Sequence, residues 1–525
     1  MLEIFNKYYN YLFLIVIFFY NLFPKKIRPF ILLIMSLIFF FIVSSKLIIF
    51  LFITIISIYL STLLMDKIEK DKKNLCKEKN KEEKKIIKEK YKKRKKLVLV
   101  VCILINVSFL VIFKYLKFFT INLNSILELF KLNYQFSILK LIAPIGISFY
   151  TLQALSYLFD VYNGKEKADN NIFRVALFMS FFPQIMEGPI ARYSDTAKSL
   201  YEGNKITYHN LCFGLQRILY GLFKKMVIAD RLNILVENVF NQYNIYGGPV
   251  TFIGAFCYTI MLYMDFSSAM DVVVGIGEIF DVKIPENFRQ PFFAKNISEF
   301  WTRWHISLGK WFRDYIYFPI SLSKPMKKLT LNMRKVLGNH MGPLISGTIA
   351  LLVVWLLNGL WHGAGWTFIL YGLYHFTFIT LGNIFNPIFN KIYLKLKIDK
   401  SQVLRIFQSL KMTFFVILGE LIFRAESVTI ALNMIKRIFT NFTIKNSELK
   451  LLGLDIPDVI VLIISIFIVF IFSILKEKKR NIREELSKKN IVIRWIIFYI
   501  LIFSIIIFGA YGKGYVPVDP MYADF

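Results

Sequence analysis

Two stretches of this sequence gather histidine, tryptophan, glycine and charge, a combination suited to moving protons. In NGLWHGAGW (358–366), His362 lies between an apolar run at 345–357 and another at 367–373, which places its imidazole deep in a membrane if those runs are helices. A neutral histidine takes a proton from an attacking hydroxyl, and its ordinary pKa of about 6.5 suits that exchange near neutrality. His362 is therefore the best general base in the chain. Gly359, Gly363 and Gly365 let backbone or substrate come close to it. The structural alternative is a packing histidine, hydrogen-bonded across small residues.

The second stretch is NISEFWTRWHISLGKWFRDYIYFPI (296–320). Asn296 followed three residues later by Glu299 is close to a capping box and predicts a helix start. Helical spacing then puts His305 on one face with Trp301, Leu308 and Phe312, while Arg303, Lys310 and Arg313 project from others. An interfacial helix, with its aromatics at headgroup level, has the same composition. Asp265, Asp271 and Glu187 stand in apolar surroundings and are either site residues or paired structural carboxylates; His375 and His340 have weaker contexts. No serine or cysteine lies in a nucleophile motif and no glycine-rich loop precedes a lysine, so direct transfer is expected rather than a covalent enzyme intermediate. No His/Cys/Asp/Glu cluster has ligand spacing, so no bound metal is expected. Cys76, Cys102, Cys212 and Cys257 show no paired spacing and predict no disulfide framework.

These groups need elements to hold them, and the composition says which. Of the 525 residues, 56% are hydrophobic and 54 are Phe, which argues against a water-soluble core. Apolar runs of about 20 residues, the length of a spanning helix, recur along the chain. Stretches such as 97–113 and 459–475 are apolar throughout, so they read as helices rather than the alternating strands of a barrel. The net charge of +31 does not point to nucleic acid, because the lysines lie between the apolar runs. Residues 66–96 hold sixteen Lys or Arg against seven Asp or Glu, and such a short basic segment is expected in the cytoplasm. Lys25, Lys26 and Arg28 then fall inside, as does the basic run 476–489. Both chain ends are predicted outside, including Met521–Phe525.

Three spans are expected before the basic loop (11–23, 28–43 and 47–65) and a fourth at 97–115, none carrying chemistry. The first follows no basic start and precedes no small-residue cleavage site, so it is expected to stay as a span. From 141 to 375, Pro, Gly, Trp and charge interrupt the apolar runs. Broken segments such as 182–190 predict re-entrant or short tilted helices lining a cavity. Later spans are expected near 412–423, 459–475 and 491–510. The organisation is one membrane domain over 1–525: N-terminal spans with the basic loop 66–96 (1–140), a catalytic motif region (141–375) and C-terminal spans (376–525).

The motifs PIGISFYTLQ, SFFPQIMEGPIARY, MDFSSAMD, IPENFRQPF, FWTRWHISLGKWFRDYIYFP and GLWHGAGWTF, running from about 143 to 375, resemble the membrane-bound O-acyltransferase family, in particular its alginate O-acetyltransferase-like bacterial branch. The resemblance implies an all-α polytopic membrane fold, a ring of about ten to twelve tilted transmembrane and re-entrant helices around a central catalytic cavity. It implies His362 as the catalytic histidine and His305 as the family's second histidine, and it draws in Asp314 through the WFRDY pattern. Candidates for holding substrate are Asn358, Trp361, Trp304, Arg313, Asp314 and Asp265. Two departures stand out: the branch resembles DFSGYSD where this chain has DFSSAMD (265–271), and Glu187 occupies a position expected to be uncharged.

The same resemblance implies transfer of an acyl group, acetyl by branch, from cytoplasmic acyl-coenzyme A as donor substrate, with no bound cofactor. The acceptor would be an extracytoplasmic envelope polysaccharide or a partner acyltransferase that serves it, in the bacterial plasma membrane and among its lipids. Met521–Phe525 could form the contact with that partner. Two other functions fit parts of the pattern. A D-alanyl transferase of teichoic acid would take its donor from a carrier protein. A transporter of envelope saccharide would use broken helices and intramembrane charge, but no inverted repeat is visible.

Overall fold

The computed structural model describes residues 15–77, 79–139 and 141–511. Helices account for its regular structure, and eight helical stretches among the described residues are long and apolar enough to cross a bilayer. The chain is thus an all-helical, multi-pass membrane protein. It divides into two compact units, one taking the chain to Gly214 together with Ile276–Pro285, the other taking Leu215–Gly275 and the chain from Glu286 onward.

In the first unit, α1 (Arg28–Ser44) and α2 (Ile48–Leu75) are joined by a 3-10 turn at Ser45–Leu47, and the non-helical backbone of Ser45 (φ 48°, ψ −126°) breaks the chain at the link expected between two spans. Of the expected first span, residues 15–20 are helical; its start lies outside the described residues, as does Met521–Phe525. The basic segment is not a loose loop. α2 continues through it to Leu75, and α3 (Lys81–Leu110) begins after five residues. Lysine and glutamate favour helix, and Asn80 and Glu83 close a complete capping box. Lys72 and Lys95 both reach Glu69, at 2.5 and 3.8 Å.

Beyond these, α4 (Ile147–Tyr162) is buried along most of its length and α5 (Ile172–Ser180) stops after nine residues. The backbone from Phe181 to Arg192 is then non-helical and mostly buried. Such backbone persists at membrane depth only inside protein, and here side chains bond some of its polar groups and one carbonyl of the helix before it. Gln153 donates to the Phe178 carbonyl (2.6 Å), Gln184 to the Pro189 carbonyl (2.5 Å), and the Phe182 N–H donates to Ser36 Oγ (3.0 Å). The chain is broken at 182–190 as read, but it forms turns there instead of the expected re-entrant or short tilted helix. Glu187 is buried on this stretch.

The second unit holds both histidine segments. Its long helices are α6 (Gly248–Ile279, up to Gly275 in this unit), α9 (Lys324–His362), α10 (Trp366–Lys395), α11 (Gln402–Arg424), α12 (Ile456–Glu477) and α13 (Ile491–Phe508). Between α6 and α9 come two helices of seven residues each, α7 (Ile297–Arg303) and α8 (Ile306–Phe312). α9 and α10 form the hairpin that carries His362 at its bend. Gly359 makes their approach possible, because a side-chain carbon there would collide with the Phe368 carbonyl oxygen.

Candidate active site

His362 is the last residue of α9. The chain leaves the helix through Gly363–Gly365 and restarts at Trp366, so Gly363 and Gly365 mark a helix end, while Gly359 lies within α9. A Cβ at Gly363 would run into the Phe368 ring. The buried His362 imidazole packs between aromatic rings, 5.0 Å from Trp361, 5.2 Å from Phe423 of α11 and 6.0 Å from Tyr371 of α10 between centroids. Asn358, one turn before His362, is also buried, and its side-chain oxygen has no hydrogen-bond partner among the described residues. A buried amide oxygen in that state is ready to accept from a substrate group.

His305 reaches the same cluster by a route the helical spacing did not foresee. Asn296 caps α7 as expected, accepting from the Glu299 N–H at 2.9 Å. The helix then breaks at Trp304, and His305 takes a left-handed conformation (φ 44°, ψ 52°) as the cap of α8. His305 therefore shares no continuous helical face with Trp301 and Leu308. The cause is Asn287, about twenty residues earlier in the chain. Its side-chain oxygen accepts from the Ser307 N–H and the Ser307 hydroxyl, each at 2.9 Å, and lies 3.3 Å from His305 Nδ1. Its backbone carbonyl accepts from the Ile306 N–H at 3.0 Å. A non-glycine residue held left-handed costs about 1–2 kcal/mol, and these bonds offset it.

The break aims the His305 ring at Trp361, 5.6 Å away, with Phe266 of α6 edge-on at 4.8 Å. Trp361 is thus a neighbour of both His305 and His362. Trp304 turns to the other side of the break and stacks on Phe300 and against Tyr263. Tyr263 also forms part of the wall of a 680 Å³ cavity bounded by α6, α11 and α12 and fringed by Lys295, Arg303, Arg405 and Glu477. That cavity does not include either histidine of the cluster.

Arg313 and Asp314 lie at the far end of α8, on a π-helical turn (Arg313–Tyr317) about 12 Å along the axis from His305. They pair with each other at 2.8 Å, and Arg313 is half exposed. Asp265 and Asp271 on α6 are ion-paired. A π-helical turn at Phe223–Ala229 presents two consecutive lysines to them. Lys225 reaches Asp265 (2.8 Å) and Asp230 (2.9 Å); Lys224 reaches Asp271 (2.7 Å), which Arg217 also meets (3.0 Å).

Three further residues belong to the cluster and had no place in the sequence reading, and a fourth, His375, had only a weaker context there. Asn287 sits in the quoted IPENFRQPF motif, but its role is tertiary. His375, one turn past Tyr371 on α10, is fully buried, stacked on Trp355, and accepts from the Trp301 indole N–H at 3.4 Å. Tyr371 stands edge-on between His362 and His375 and donates its phenol hydrogen to Glu420 Oε1 at 3.3 Å. Glu420 is a lone carboxylate inside an apolar span, which is itself a sequence signal. No group of three His, Cys, Asp or Glu able to hold a metal ion is found among the described residues.

An all-helical, multi-span protein with a buried histidine and tryptophan cluster at a helix break is the setting in which the comparisons fall. Residues 166–333 match the model of the membrane-bound O-acyltransferase family. The chain is 31% identical over 373 residues to the probable alginate O-acetylase of Azotobacter vinelandii, a match covering 71% of this chain and 68% of that one. It is 32% identical over 364 residues to the peptidoglycan O-acetyltransferase of Helicobacter pylori, covering 64% of each. It is also 32% identical over 259 residues to the teichoic acid D-alanyltransferase of Bacillus subtilis, covering 48% of this chain and 62% of that protein. About a third of each relative therefore lies outside the match. The chain belongs to the membrane-bound O-acyltransferase family and is an O-acyltransferase.

Proposed function

We propose that this O-acyltransferase moves an acetyl group from acetyl-coenzyme A at the cytoplasmic face to a hydroxyl on an extracytoplasmic envelope polysaccharide, or on a partner acyltransferase that serves one, in a bacterial plasma membrane. The observation that carries the reading is the placement of His362 and His305 around one indole, Trp361, in a buried pocket of rings. His362 acts as general base. As the acceptor oxygen attacks the thioester carbonyl, its proton passes to the imidazole; the C–S bond then breaks, and the departing coenzyme A thiolate takes that proton as the ester forms. His305, Asn358 and Trp361 orient the reacting groups, where positioning supplies much of the rate. Trp304, Arg313 and Asp314 are substrate-side candidates, with Arg313 the most accessible of them for an anionic donor; Asp265, paired with Lys225, takes the structural role instead.

The basic hairpin at 66–96 and the run 476–489 set the orientation, with both chain ends outside. Transfer through the site then moves the acetyl group across the membrane without a carrier lipid. The similarity to a D-alanyltransferase supports a second reading, D-alanyl transfer from a carrier protein. The deciding experiment incubates membranes with labelled acetyl-coenzyme A and envelope material, for the wild type and His362→Ala at matched folded amounts. Label in the acceptor with the wild type alone supports the proposal. No label with either, but transfer from a D-alanyl-loaded carrier protein, establishes the second reading instead.

A further inference from the structure

The second unit buries several carboxylates, and Glu420 is compensated differently from the others described above. Asp265 and Asp271 each meet a lysine within 2.8 Å. Glu420 on α11 is as deeply buried, yet no cation pairs with it among the described residues. Arg424, one turn on, lies over the Phe240 ring instead. The bond Glu420 makes is with the Tyr371 phenol at 3.3 Å. A buried polar group costs free energy unless hydrogen-bonded, and an ionisable group within a span points to function by default.

What surrounds that bond gives it a direction. Three positions of α11 face the histidines: a Cβ at Gly419 would meet His375 Nε2 at 2.8 Å, Glu420 takes the Tyr371 phenol, and the Phe423 ring packs on His362 at 5.2 Å. Tyr371 itself is edge-on to His362 (interplanar angle 87°) and to His375 (79°). The ring is buried among these neighbours, and the bond to Glu420 adds a tether at its hydroxyl end. From the α10 and α11 side, Tyr371 and Phe423 both pack edge-on against the His362 ring.

We infer that Glu420 is a positioning residue for His362, acting through Tyr371: the carboxyl oxygen holds the phenol, and the phenol ring holds the imidazole in the orientation that receives the acceptor proton. The inference rests on the proposed role of His362 as base. A general base displaced by about 1 Å loses on the order of 100-fold in rate, and a ring loosened but still packed should lose less.

The test uses the full-length protein in membranes and four variants: Glu420→Met, which removes the acceptor at similar volume; Glu420→Gln, which keeps a carbonyl oxygen; Tyr371→Phe, which removes only the donor; and the Met/Phe double variant. Glu420→Met and Tyr371→Phe should each lower kcat by about 10- to 100-fold with the donor KM within about twofold. The double variant should be no worse than the poorer single one, and Glu420→Gln should fall between Met and wild type. A readout that needs no turnover is the rate at which diethyl pyrocarbonate modifies His362, followed by mass spectrometry. It should change in the Met and Phe variants and much less in the Gln variant.

The inference is overturned if Tyr371→Phe, the mildest change, leaves both kcat and the modification rate within twofold of wild type, if the losses multiply in the double variant, or if Glu420→Gln is as impaired as Glu420→Met. A wild type that transfers no acetyl while its His362 modification still responds to the variants would sink the acetyl-donor reading and leave the positioning contact standing.

Discussion

Within the unit that begins at Leu215, two groups of buried polar side chains are stabilised in opposite ways. Along α6 and the π-helical turn at Phe223–Ala229, carboxylates meet lysine and arginine at 2.7–3.0 Å. Around the α9–α10 bend, His362, His305, His375, Asn358 and Glu420 face indole and phenyl rings, and the Asn358 oxygen and His375 Nε2 have no hydrogen-bond partner among the described residues. Charge that is fully compensated locks helices together and leaves nothing to react. Polar atoms sheltered by rings, with capacity to spare, are placed where a substrate can use them. The account assigns scaffolding to the first group and chemistry to the second.

Each substitution below should move one group without the other, in decreasing order of effect. His362→Ala should lower acetyl transfer by about 10²- to 10⁴-fold, the range of general acid–base catalysis, while thermal unfolding in detergent stays near that of the wild type. Lys225→Met strands Asp265 and Asp230 and should destabilise the unit by roughly 3–5 kcal/mol, read as a lowered unfolding temperature. Full stability in that variant would remove the scaffolding half of the comparison. Asn287→Ala leaves the Ser307 N–H without its acceptor, about 1–3 kcal/mol, and also frees the left-handed His305. It should therefore lower both stability and transfer, and a loss confined to stability would detach His305 from the site. Arg313→Ala removes a half-exposed pair worth at most about 1 kcal/mol; stability should hold, so any rise in donor KM would report binding directly.

The helices were readable from the apolar runs because a spanning helix leaves a long uninterrupted trace, and α11, α12 and α13 contain the expected stretches 412–423, 459–475 and most of 491–510. The NGLWHGAGW segment was readable because glycine and histidine at membrane depth are conspicuous. The break at Trp304–His305 was not readable. No proline or glycine marks it, and its cause is an asparagine side chain about twenty residues upstream. Lys224 and Lys225 were invisible for a related reason: on an ordinary helix consecutive residues face apart, and only the local π geometry turns both toward α6. Glu420 differs from these. A single carboxylate in ILGELIF stood in plain view within the expected span 412–423, but no neighbouring motif in the chain drew it into the site.

The most direct test of the division between scaffold and site measures two quantities side by side, acetyl transfer per folded molecule and unfolding temperature, for His362→Ala and Lys225→Met. The account predicts that His362→Ala loses transfer at unchanged unfolding temperature, and that Lys225→Met loses unfolding temperature while its folded fraction still transfers. If His362→Ala kept its transfer, or if Lys225→Met lost transfer per folded molecule to the same degree, the chemistry would not reside in the ring-lined cluster and the assignment would be contradicted.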